Sequence, residues 1–279
     1  MEADLEAYRR ASAARPDILA AIDDSPLAVV ASAADYGAAR HVPAHWHVRS
    51  QLMMPLSGTM LVSTPLGRWI VPDGHALWMP ARVVHAVEMI GAVRLRSAYV
   101  RPEAVDLPGG VRVVAITPLM HALLVEASDG PPGPPGPRDR LILELILAEI
   151  PRLEERPLAL PFPRDPRLSA LCRRFLDHPS AHASVDGWAA AAGMSRRSFT
   201  RHFRAETGLS LSRWRQQASL FAALPRLAAG EPVTHVALDL GYDSLAAFST
   251  MFRRILGRPP RDYAAAGFSA GARPAPARE

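Results

Sequence analysis

The chain has no lysine; all 32 of its basic residues are arginine. Together with abundant alanine and 27 prolines, this reads as genomic base composition and not as a functional signal. A single cysteine, Cys172, excludes an internal disulfide, and no CxxC pair or Cys/His zinc spacing exists to use it. Beside Leu171 and Phe175 it reads as a core residue. No apolar run approaches the roughly 20 residues of a membrane-spanning helix. The acidic start MEADLEAYRR is unlike a secretory signal, so a cytoplasmic protein without a membrane partner is expected.

What is present is enough for a sizeable core. A chain of 279 residues, 49% of them hydrophobic, points to two domains sooner than one. Its charge is unevenly placed. Residues 164–279 carry 17 Arg against 9 Asp and Glu, net +8, while residues 1–163 carry 15 against 18, net −3. A basic nucleic-acid-binding half joined to a neutral or acidic partner half would have this distribution.

Residues 1–24, with the amphipathic stretch LEAYRRASAA, read as an arm of unreadable function. From Leu27 to about Leu107, short apolar pieces (LAVVAS, QLMMPL, TMLVST, HALWMP) alternate with Gly, Pro and Asp turns, the rhythm of an antiparallel sandwich or barrel. Helical spacing follows in TPLMHALLVEAS and, after DGPPGPPGP, in RDRLILELILAEIPRLEER, expected as one helix over 139–156. There Leu141, Leu145 and Ala148 recur beside Ile142 and Ile146, a stripe wider than one neighbour needs. It serves either the intramolecular core or a dimer seam of paired helices. The Pro-rich PLALPFPRDP then marks a link. The resulting division is an arm at 1–24, a domain of strands and helices at 25–156, later read as the sensing and dimerisation domain, a link at 157–166, a basic helical domain at 167–266, whose motifs follow, and a tail at 267–279.

After the link, SVDGWAAAAGMSRRSFTRHFRAETG contains a short Ala-rich helix that Ser184 or Asp186 can cap, a turn at Gly193, and a second helix capped by Ser195 with Phe199 and Phe203 inward. That is a helix-turn-helix. Arg196, Arg197, Thr200, Arg201 and Arg204 lie away from the phenylalanines and would face a major groove. The pattern returns in EPVTHVALDLGYDSLAAFSTMFRRILGRPP, with Gly241 in the turn, Ser244 as cap, and Phe248 and Phe252 inward; the cap serines stand 49 residues apart.

These two runs resemble the AraC/XylS family of transcriptional regulators over roughly residues 164–266. The resemblance implies a seven-helix domain whose two recognition helices enter successive major grooves about 34 Å apart. Its reading positions match Arg197, Thr200 and Arg201 in the first unit, and Leu245, Ala246, Ser249 and Thr250 in the second, beside the cap Ser244. Where relatives carry an Arg early in the linker helix, this chain has Ser219. Arg197 and Arg201 can each donate twice to guanine, whereas Leu245 and Ala246 offer apolar contact to thymine methyls. The first unit is therefore expected to discriminate more sharply, with Arg253 and Arg254 on phosphates.

In the other half, HWHVRSQLMMPLSG fits HxHxxxQx6G and GHALWMPARVVH fits Gx5P followed by His. Together they resemble the two cupin motifs, with Gln51 where metal-binding cupins have Glu and Arg82 where the second motif has Gly. Alternation puts His45 and His47 on one strand face, with Leu52 and Met54 opposite Gln51, so that Gln51 and His85 can converge with the histidines. The set suits a polar effector, or a divalent ion such as Zn, Ni or Fe. Gln lacks the negative charge of Glu and weakens such an ion, so no cofactor is required in this reading.

The resulting expectation is an α+β two-domain protein: an N-terminal cupin-like antiparallel β-barrel with a helical dimerisation segment, then an all-α domain with two helix-turn-helix units. Its function would be that of a ligand-responsive regulator on a double-stranded DNA operator, a homodimer without catalytic residues, controlling a neighbouring efflux or metabolic gene. A contact with RNA polymerase is left open. The alternative is a metal-dependent cupin enzyme with an appended DNA-binding module.

Overall fold

The computed structural model describes residues 17–264 apart from 108, 131–132, 178 and 180–183. The LEAYRRASAA stretch and the 267–279 tail lie outside the described residues. The chain divides into two compact units. Among the described residues, one runs to Thr64 and from Trp69 to Pro157; the other comprises Pro65–Arg68 and the chain from Leu158 to Ala264.

The first unit opens with helix α1 (Asp17–Asp24) and continues through strands β1 (Val29–Tyr36), β2 (His41–His45), β3 (Ser50–Thr64), β4 (Gly67–Pro72), β5 (His75–Met79), β6 (His85–Val100) and β7 (Arg112–Ala115). Helices α2 (Pro118–Asp129) and α3 (Pro137–Glu149) follow, then the short β8 (Glu155–Arg156). The strands are ordered β1-β6-β3-β5-β7-β8, with β2 added on β6 and β4 on β3. The long antiparallel partners β3 and β6 shift register between Pro55 and Thr59. Gly58 sits at this bend with φ +76°, and a Cβ there would come within 2.6 Å of the Ala92 carbonyl oxygen, so a side chain is excluded.

The expected closed barrel is corrected to an open sheet. Among the described residues β1 and β8 end the strand order without pairing to each other. Two helices cover one face of this sheet. Leu52, Met54, Trp78, Ala98, Val100 and Val114 form one core cluster with Met120, Leu123 and Leu124 of α2 and Ile142 and Ile146 of α3. Each fully buried side chain of this kind contributes about 1.5–3 kcal/mol.

Two helical expectations are also adjusted. The 139–156 helix ends at Glu149, passes through a 3-10 turn at Ile150–Arg152, and gives way to β8. Pro151, with no N–H to donate, ends it. The wide stripe splits: Ile142 and Ile146 are buried, whereas Leu141 is 61% and Leu145 46% exposed.

The second unit contains the short strand β9 (Ala159–Pro161) and helices α4 (Pro166–Asp177), α5 (Val185–Ala191), α6 (Arg196–Thr207), α7 (Leu211–Ala228), α8 (Val233–Asp239) and α9 (Leu245–Leu256), closed by a 3-10 turn at Pro260–Tyr263. Including that turn, seven helical elements lie among the described residues. The Pro-rich segment is ordered on this unit: Leu158, Leu160 and Phe162 are buried, and the Trp214 indole N–H donates to the Pro161 carbonyl at 2.8 Å. Aromatic packing repeats in each half. Trp188 lies 6.4 and 6.2 Å from Phe199 and Phe203, and Phe248 lies 5.2 and 5.6 Å from Tyr242 and Phe252. Cys172 is buried, and burial pushes its thiol up. No helix among the described residues is long and apolar enough to cross a membrane.

Candidate functional site

Strand alternation builds the first site. Because Leu52 and Met54 belong to the helix-covered core, Gln51 and Met53 face the other side of the sheet. The antiparallel register places Tyr99 opposite Gln51 and Ser97 opposite Met53 on that same side. β2 pairs with the start of β6, bringing His45 opposite His85. His47 comes from the turn before β3, and the Arg82 backbone N–H fixes that turn by donating to the His47 carbonyl at 2.8 Å. Arg82 has φ +62°, which explains why glycine suits this motif position.

The three imidazoles converge. Ring centroids of His45, His47 and His85 are separated by 4.3–4.9 Å, and one ring nitrogen from each lies within 4.8 Å of the others. His47 and His85 are buried and His45 is partly so. The His45 Nδ1 is 2.8 Å from the Pro43 carbonyl, and the His85 Nδ1 is 2.9 Å from that of Val83. A carbonyl only accepts, so each Nδ1 carries the proton and each Nε2 a lone pair. Gln51 spans the floor. Its Oε1 accepts from the His47 Nε2 at 2.9 Å, and its Nε2 donates to the Ser97 hydroxyl at 3.1 Å. The Tyr99 ring meets His47 edge-on at 5.4 Å.

Burial favours the neutral form of two of these rings. The His85 imidazole is pushed down to about 3, first by desolvation and then by His45 and His47. His45 is also lowered by burial, which the Pro43 carbonyl partly opposes. The His85 Nε2 is buried with no hydrogen-bond partner among the described residues, an arrangement that costs about 1–3 kcal/mol unless something bound there engages the lone pair. All four expected residues thus come together. Ser97, Tyr99 and the Pro43 and Val83 carbonyls belong with them, and sequence reading did not find them.

The second site is the outer face of α6 and α9. Ser195 caps α6 by accepting from the Ser198 N–H at 3.2 Å, and Ser244 caps α9 through the Ala247 N–H at 3.1 Å. Ser184, of the two alternatives offered for α5, is its cap. Gly193 and Gly241 take φ +67° and +78° in the two turns, and Gly208 and Gly257 end the two recognition helices in the left-handed conformation. With Phe199 and Phe203 buried, Arg196, Arg197, Thr200, Arg201 and Arg204 are all exposed on α6 and line one open surface depression. On α9, Leu245, Ala246, Thr250, Arg253 and Arg254 are exposed and Ser249 is half-buried. Two arginines already have partners: Arg196 pairs with Asp186 at 3.1 Å, and Arg254 donates to Gln216 at 2.7 Å. Ser219 is buried, and its hydroxyl donates to the Arg215 carbonyl at 3.1 Å, turned into the helix bundle.

A duplicated helix-turn-helix with a cationic first recognition helix, carried with a sheet unit that gathers polar side chains, defines a DNA-binding regulator with a ligand-binding domain. Comparison with known proteins agrees. The AraC-like ligand binding domain matches residues 26–150, and a helix-turn-helix domain matches residues 188–266. The chain is 32% identical over 224 residues to the HTH-type transcriptional regulator NimR of Escherichia coli K12, a match covering 80% of this chain and 82% of NimR. It is 35% identical over 88 residues to the regulatory protein SoxS of the same organism, covering 31% of this chain and 82% of SoxS. Among solved structures, unsaturated fatty acid bound ToxT from Vibrio cholerae aligns over 84% of this chain and 94% of its own, at 9% identity and a TM-score of 0.36. The chain belongs to the AraC/XylS family of transcriptional regulators.

Proposed function

We propose that a small polar molecule bound at His45, His47, Gln51 and His85 controls how strongly the protein holds its operator, and that the protein acts in the cytoplasm as a homodimer without catalysis. The observation that carries the sensing site is the convergence of three imidazoles around a buried His85 Nε2 that has no hydrogen-bond partner among the described residues. With their Nδ1 protons held by backbone carbonyls, His45 and His85 turn Nε2 lone pairs to a bound molecule, which suits recognition of a polar ligand. In this reading α6 supplies the sharper base discrimination through Arg197 and Arg201, α9 adds Leu245, Ala246, Ser249 and Thr250, and Arg253 and Arg254 hold phosphates. No cofactor is needed for operator binding itself. A divalent ion of the Zn, Ni or Fe class fits the histidines, and contact with RNA polymerase is compatible with the exposed surface of the second unit. The target would be a neighbouring efflux or metabolic gene.

The test begins with a metabolite screen by thermal shift, since a ligand that binds the native state raises its stability by mass action. Hits are then carried into operator titrations with wild type and His47→Ala. The variant is expected to lose the response while its ligand-free operator affinity stays within about twofold, roughly 0.4 kcal/mol. A response that survives in a folded protein lacking both His45 and His47 would place sensing elsewhere.

A further inference from the structure

The histidine cluster is unusual in what it leaves out. Among the described residues, no Asp, Glu or Cys joins His45, His47 and His85 within ligating range. The polar group beside them, Gln51, is neutral, and its amide is held by Ser97 with Oε1 turned toward His47. Two of the rings have their Nδ1 protons committed to the Pro43 and Val83 carbonyls. This outer hydrogen bonding fixes a ligating imidazole in the tautomer that presents Nε2 to an ion. The donor set fits a borderline divalent ion, since imidazole nitrogens favour Zn, Ni, Cu and Fe over Mg or Ca.

Charge then decides what else must bind. Three imidazoles and an amide leave a divalent ion with its whole double charge in a largely buried place. A buried charge is costly unless it is paired. Three protein nitrogens also leave at least one coordination position open, as in sites that accept an exogenous ligand. We propose that His45, His47 and His85 hold one divalent transition-metal ion through three neutral imidazoles, and that this ion, left uncompensated, is the receptor for a small anionic effector that completes its coordination. Gln51 positions His47 and keeps the site free of protein negative charge. This deepens the sensing-site reading and rests on it only in calling the anion the effector; ion and anion binding are read without DNA.

The experiment uses full-length protein stripped with a chelator and titrated with Co(II), a spectroscopic substitute for the Zn class, with azide as the probe anion. Wild type is expected to bind one equivalent with visible bands of nitrogen-ligated Co(II), and azide is expected to shift those bands. His85→Ala, and independently the less buried His45→Ala, should each weaken Co(II) binding by more than about 100-fold, beyond what losing an outer hydrogen-bond partner costs. If His85→Ala does not fold by circular dichroism, His45→Ala carries this arm. Gln51→Glu should tighten Co(II) about tenfold or more, because a carboxylate now neutralises the ion, and should abolish the azide shift.

Absence of saturable Co(II) binding by folded wild type, or binding that survives both histidine changes, overturns the metal site. Stoichiometric binding whose spectrum azide leaves unmoved overturns the anion receptor. An effector response that depends on His47 yet survives chelation removes the ion from sensing and leaves the histidine site as sensor, so the two readings fail separately.

Discussion

Asp165 shows what one residue holds in place where the chain enters the second unit. Its carboxylate accepts from the Arg167 N–H at 2.9 Å and guanidinium at 3.1 Å, and lies 3.2 Å from the His202 Nε2 on α6. Glu206, one turn further along α6, accepts from the backbone N–H groups of Arg164 and Asp165 at 2.6 and 2.9 Å. The entering chain is thus tied to the first recognition helix by side chains of that helix. Arg167 above all holds the Asp165 carboxyl well below its usual 3.8, against the opposing effect of burial, with His202 and the Leu168 N–H adding to the lowering. A carboxyl depressed on folding contributes stability that is present above the unfolded value and lost as pH falls below it. Thermal unfolding from about pH 6 to about pH 3 should therefore show wild type losing stability more steeply than Asp165→Asn below about pH 4, with the variant the less stable at neutral pH. Parallel pH profiles would show that the contacts contribute nothing. None of this was legible in the sequence, because His202 and Glu206 stand 37 and 41 residues from Asp165. Ser97, 46 residues from Gln51, escaped for the same reason.

At the scale of elements, what could be read was local. Cap serines, turn glycines and the Phe pairs sit within a dozen residues of one another, so both helix-turn-helix units were legible from spacing, and the structure has them where expected. The alternation that set Gln51 against Leu52 was equally local. Sheet closure was not, because it depends on whether distant edges meet. Nor could periodicity say which side of the wide α3 stripe faced inward, since Ile142 and Ile146 are no more apolar than Leu141 and Leu145; only the sheet they pack on decides. The two recognition helices differ in a way that can be measured. The outer face of α6 carries four arginines, whereas α9 has Leu245, Ala246, Ser249 and Thr250 at the positions proposed to read bases. Arg201→Ala is expected to weaken specific operator binding by about 1–3 kcal/mol and to relax discrimination at one base pair. Thr250→Ala should cost less, having no bidentate contact to lose. Titration against single-base operator variants checks the order; greater discrimination lost from α9 than from α6 would reverse it.

For the whole molecule, assembly is the open physical question, and α3 supplies its test. Leu141, Leu145 and Ala148 are exposed at spacings of four and three residues, the seam spacing of paired helices, on the face turned away from the core. An exposed leucine by itself means little, but two at seam spacing on one stripe are what a dimer joined through this helix would cover. The structure separates this role from folding in a way the sequence could not. Ile146 must now be counted with the core, at 0% exposure, and not with the seam. Leu145→Glu should therefore leave the unfolding temperature of the isolated chain nearly unchanged while placing a charge in the interface, which is costly to bury unpaired. Ile146→Glu should instead prevent folding of the first unit. A monomeric Leu145→Glu protein would hold each half-site singly and lose the gain from two linked DNA-binding domains, so its operator affinity should fall by about 100-fold or more. Sedimentation of wild type and variant, with and without an operator of two half-sites, reads both effects. A wild type that sediments as a monomer in both conditions, or a Leu145→Glu variant that still sediments as a dimer, would take α3 out of assembly and leave its exposed leucines unexplained.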